Sequence, residues 1–159
     1  DPHHPQREIF LGEGGVDANG DPLTGPNSPH TNAAALRCIQ CHVFEEHPPD
    51  PTIENPVNTG HTFLANNLAA CAQPGCHPTE QDAETKRDDA QAAFDALAAQ
   101  VAQLLSSIDR GSLDSAGQES YDIAKFDFDL AEAGASRGVH NTEYSMTLLN
   151  TALAILQSL

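Results

Sequence analysis

The chain has 159 residues and a formal net charge of −16, from 23 acidic and 7 basic side chains; the length fits one domain or two small ones. Of its residues 39% are hydrophobic, but 23 residues are alanine and Leu, Ile, Val and Phe together make only about a fifth of the chain, near the composition at which a polypeptide struggles to build its own core. The charge excludes nucleic acid and anionic lipid surfaces as partners, since both reward Lys and Arg clusters. No apolar run approaches the roughly twenty residues of a membrane helix, which excludes an integral membrane protein.

All eleven prolines lie between Pro2 and Pro78, which puts the main organisational boundary near Thr79. Residues 1–27 are expected to form an extended N-terminal arm, because Gly12-Glu13-Gly14-Gly15, Asp21-Pro22 and Gly25-Pro26-Asn27-Ser28-Pro29 are turn chemistry. Residues 28–78 read as loop with short helical pieces. A loop region of that length inside a compact domain needs an organiser other than secondary structure.

The cysteines supply one. Cys38-Ile39-Gln40-Cys41-His42 is a C-x-x-C-H sequence, the attachment signature of c-type haem. On a helical turn, cysteines three apart project to the same side and can form thioethers to two vinyl groups, while the next histidine reaches the iron. Cys71-Ala72-Gln73-Pro74-Gly75-Cys76-His77 repeats the logic with four intervening residues; Pro74-Gly75 can loop the extra length outward. A zinc site, a thioredoxin-like redox motif and disulfides compete for these cysteines, but none of them requires His directly after both pairs. Two covalently attached haem c groups also supply the apolar surface that the chain lacks.

Three helices follow. Over 79–109, Ala90, Phe94, Leu97, Val101, Leu104, Leu105 and Ile108 recur at the three-and-four spacing of one buried stripe, with acids near the N-terminal end and Gly111 as the stop. A second helix over 113–135 buries Tyr121, Ala124, Phe128 and Ala131 and ends near Gly134. A third, capped by Asn141 or Thr142, places Tyr144, Leu148, Ile155 and Leu159 on one face. No strand pattern of useful length is present, so the expected fold class is all-α with extensive loop, a haem-organised Pro/Gly-rich half followed by about three helices at 79–159 that complete one domain with it.

Two irons need four axial ligands, and His42 and His77 fill one position each. The only methionine, Met146, sits in the third helix where a core role is ordinary, so the distal ligands are histidines. His30, His61 and His140 are the candidates, with His3, His4 and His47 behind them. Each also has a plainer reading: His140 as a capping or core residue, His30 as a surface residue of a Pro-rich turn, His61 as solvated loop, His47 as surface, and His3 and His4 as part of a loose terminus.

His30 before Cys38, His61 ahead of Cys71, two long helices after the last motif, and Gly138-Val139-His140-Asn141 followed by Tyr144 and Leu148-Leu149 resemble the C-terminal part of multihaem cytochromes of the pentahaem nitrite reductase type. The likeness covers about residues 26 to 159. It implies that His30 pairs with His77 and His140 with His42 as axial ligands, and that the histidine between the motifs, His61, serves a further haem outside this two-haem unit. The reducing enzymes of that family add a haem with an open iron position and a lysine in place of the proximal histidine. This chain has no C-x-x-C-K and no third cysteine pair, so the expectation is one-electron transfer and not catalysis.

A spare His61 gives a homopolymer a use for it, each subunit donating one histidine to its neighbour, as in the extracellular cytochrome filaments that this sequence is similar to, with haem-to-haem contacts along the axis. His3 or His4 could serve as that donor too, with the arm wrapping an adjacent subunit. The alternatives are a monomeric soluble dihaem carrier, a haem enzyme or sensor with one labile distal ligand acting on a small molecule or nitrogen oxide, and a zinc-structured interaction module. Haem c is attached outside the cytoplasmic membrane, so an exported, periplasmic or extracellular chain with redox partner proteins is expected. The start at Asp1, without a basic and apolar segment, reads as a mature chain.

Overall fold

The computed structural model describes residues 5–53, 57, 59, 65 and 68–159. The described residues contain six α-helices and one two-stranded hairpin: α1 (Gln6–Leu11), β1 (Gly15–Val16), β2 (Pro22–Leu23), α2 (His30–Ala33), α3 (Cys38–His42), α4 (Glu80–Ser107), α5 (Ser115–Ala133) and α6 (Thr142–Gln157), with 3₁₀ turns at Leu68–Ala70 and Arg110–Ser112. The helical class is as expected. The chain divides into two compact units, one of residues 1–28 with 89–159 and the other of residues 29–88, where the sequence pointed to a single domain with its boundary near residue 79. The first turns of α4 belong to the cysteine-bearing unit, and there Asp82 is bonded to His77.

The helical unit has the larger core. Phe94, Leu97, Ala98 and Val101 of α4, Ala124, Leu130 and Ala131 of α5, and Tyr144, Leu148, Leu149, Ala152, Ile155 and Leu156 of α6 are buried together with Ile9 of α1. Tyr121 and Phe128, expected inside, are only partly buried, and Leu159 is exposed; Leu130 takes the inward place on α5. Met146 packs against this core. Helix α4 ends at Ser107, before Gly111, and the turn that follows is capped by the Asp109 side chain accepting from Gly111 N. Asn141 caps α6 by accepting from Tyr144 N.

The arm expected at 1–27 is instead part of this unit. Ile9 is buried, Gly15 N donates to Tyr144 Oη at 2.8 Å, Tyr144 Oη donates to Leu23 O at 2.9 Å, Val16 N donates to Asp127 Oδ1 at 2.9 Å and Asn141 Nδ2 donates to Pro26 O at 2.8 Å. A short hairpin pairs Gly15 with Leu23 and Val16 with Pro22. Glycine permits the approach: a Cβ on Gly15 would lie 2.3 Å from Leu148 Cδ2, and one on Gly25 would lie 2.7 Å from Tyr144 Cδ2. The Gly/Pro-rich segment is too polar to fold alone, but its backbone groups find their partners on α5 and α6.

Candidate metal centre

In the unit of residues 29–88, His30 opens α2 and α3 carries the first motif from end to end. One helical turn places Cys38 and Cys41 on the same side, with His42 as the last helical residue. Arg37, directly before Cys38, has φ 50° and ψ −124°, a conformation that a side-chain-bearing residue holds only where its surroundings over-determine it. In the second motif Cys71 N donates to Leu68 O, Cys76 N to Gln73 O and His77 N to Cys71 O, all at 2.9 Å. The last of these bonds draws the two ends of the motif together across the extra residue. Gly75, at φ 89°, would meet no atom within 4 Å of an added Cβ; the loop at Pro74-Gly75 faces open space.

Two histidines converge. The rings of His30 and His77 have centroids 6.4 Å apart with planes tilted by 48°. His77 Nδ1 lies 2.9 Å from Asp82 Oδ2, which makes Nδ1 the hydrogen-bonded nitrogen and leaves Nε2 as the one available to a metal. Burial, and then the neighbouring His77, hold His30 below the ordinary histidine range, which favours the neutral imidazole, the form that coordinates metal. Burial pushes the Cys41 thiol up, helped by Cys71, Cys76 and Cys38; burial and Cys76 push the Cys71 thiol up against the opposing pull of Arg87. That direction runs against a redox pair, whose nucleophilic cysteine has a lowered pKa.

His42 is half-buried at the end of α3. His140 belongs to the helical unit, directly before the Asn141 cap, and its backbone N donates to Ser136 Oγ at 3.0 Å. His61, His3 and His4 lie outside the described residues. His47 is exposed and pairs with Glu45 at 3.6 Å. All four cysteines are free thiols, and among the described residues no group of three or more His, Cys, Asp and Glu side chains is arranged to hold a metal ion. Asp82 was not visible as a site residue in the sequence; its one signal is a carboxylate five positions after a motif histidine, in the first turn of the next helix.

Around these residues several large apolar side chains face outward. Leu36, Ile39, Val43, Ile53 and Val57 are exposed, Ile53 almost completely, and the buried hydrophobic residues described in this unit are Ala34, Ala70 and Ala83. No helix among the described residues is long and apolar enough to cross a membrane. Comparison of the chain with protein-family models, with curated protein sequences and with solved structures finds no match.

Proposed function

We infer that this chain is a dihaem c-type cytochrome that passes single electrons through bis-histidine irons. The observation that carries the reading is the spacing of His30 and His77. The observed separation is 6.4 Å. Rings this close would let both histidines hold one metal ion between them. Two histidines alone do not satisfy an iron, and the four equatorial nitrogens of a porphyrin complete the set.

The other features of the unit fit the same group. Cys71 and Cys76, like Cys38 and Cys41, would each add S–H across a vinyl double bond, sulfur to one carbon and hydrogen to the other, with no leaving group. The exposed Leu36, Ile39 and Val43 surround the first motif in sequence and offer apolar surface to a macrocycle. When bound, haem supplies a one-electron iron couple. His30 and His77 would together hold one iron and so leave no place on it for a substrate, and His42 would be the motif-borne ligand of the other. The donor and acceptor are redox proteins in the exported space. The homopolymer reading rests on the spare His61 and no longer on the arm, which is engaged by its own chain; sizing of the purified protein distinguishes a filament subunit from a monomeric carrier.

A visible spectrum and an intact mass test the reading together. Two covalently bound haems with low-spin spectra are expected, with no cyanide bound by the reduced protein, while H30A should open one iron of the two to cyanide. A colourless protein of unmodified mass would overturn the proposal, and cyanide binding by the reduced native protein would replace the electron carrier with a haem enzyme or sensor.

A further inference from the structure

His77 is held by a carboxylate, and the carboxylate is itself held. Asp82 sits in the first turn of α4, its backbone N donating to Thr79 Oγ1 at 3.1 Å, with Oδ2 on His77 Nδ1 at 2.9 Å and Oδ1 3.7 Å from Lys86 Nζ. The His77 and Asp82 side chains retain only 24% and 34% of their exposure, whereas Lys86 retains 61%. The carboxylate is thus oriented by the helix start, shielded on the His77 side and open to solvent on the Lys86 side.

A metal-bound histidine that donates its second N–H to a carboxylate becomes a more basic ligand and is fixed in tautomer and ring orientation. A more basic ligand favours the more highly charged ferric iron and lowers its potential. Resting on the dihaem reading, we propose that Asp82 is a positioning residue for His77: it directs Nε2 to the iron and sets the haem of the second motif at a lower potential than an uncharged partner would, with Lys86 as a counter-charge that moderates the effect.

The test is a spectroelectrochemical titration of the full haem-loaded chain carrying D82N, which keeps the side-chain shape and removes the charge. One haem should become easier to reduce, its oxidised-to-reduced ratio at fixed potential falling about tenfold, equivalent to about 59 mV for one electron, while the other haem is unmoved. K86M, at an exposed position, should shift the same haem in the opposite direction by a smaller amount, and it provides the measurement if D82N fails to mature. Unchanged potentials in a haem-loaded D82N, or in K86M where D82N cannot be obtained, would overturn the role of Asp82 and leave the dihaem reading standing. A native chain that carries no haem would overturn both.

Discussion

In the helical unit Tyr144, Phe94, Leu148, Leu149 and Val101 are out of solvent, whereas the described residues of the 29–88 unit bury no hydrophobic side chain larger than alanine and leave Leu36, Ile39, Val43, Ile53 and Val57 exposed. Both are compact, but for different reasons. The first joins helices through side chains that exclude water, with burial of each large side chain contributing about 1.5–3 kcal/mol. The second has four thiols, paired imidazoles and outward apolar groups, and among its described residues no comparable core to set against its conformational entropy of about 1–2 kcal/mol per residue. A covalently held macrocycle is the component that would make the second unit energetically like the first.

On the dihaem proposal, the largest effect should therefore come from denying that unit its macrocycle. Serine at all four positions, C38S with C41S, C71S and C76S, should abolish visible absorption and open residues 29–88 to limited proteolysis, with fragments from 89–159 surviving on a gel. A haem-free chain protected equally in both units would break the comparison. The converse perturbation strikes the helical unit alone: Leu148 is fully buried and is the side chain that a Cβ on Gly15 would meet, so L148A should cost about 2–5 kcal/mol. Thermal unfolding followed by circular dichroism should register that loss, while the haem spectrum persists below the transition.

The legibility of the two units in the sequence follows the same division. The stripe of Phe94, Leu97 and Val101 and the face of Tyr144, Leu148 and Ile155 were readable because a helix's apolar period is local, and Asn141 was readable as a cap for the same reason. The docking of the arm was not, because Gly15 and Tyr144 are 129 positions apart and a glycine's lack of side chain shows only that close approach is possible, not to what. The histidine pair was reachable through the chemistry of the motifs and the resemblance that accompanies them. Asp82 was hidden by an ordinary explanation, since acids in the first turn of any helix answer its dipole.

Asp127 gives the finest distinction, because it is a polar group inside the self-sufficient unit. It is fully buried on α5; Oδ1 accepts from Val16 N, and Oδ2 has no hydrogen-bond partner among the described residues. Burial pushes its pKa up to about 7, opposed by the Val16 N–H and reinforced by Asp17. The unfolded chain ionises this carboxyl near the ordinary aspartate value of 3.8, so between the two values the folded state holds a proton that the unfolded state has lost. Its stability contribution is greatest at low pH and declines as pH rises through about 7. From about pH 6 to about pH 8 the decline should reach about 1.4 kcal/mol, a few degrees in midpoint for a chain of this size. D127N retains an oxygen for Val16 N–H and cannot ionise, so its stability profile should be flatter than that of the native chain by that amount, with haem content the same. Parallel profiles would mean that the carboxyl has the same proton affinity folded and unfolded, and that the contact between the arm and α5 is as wet as the surface of the other unit.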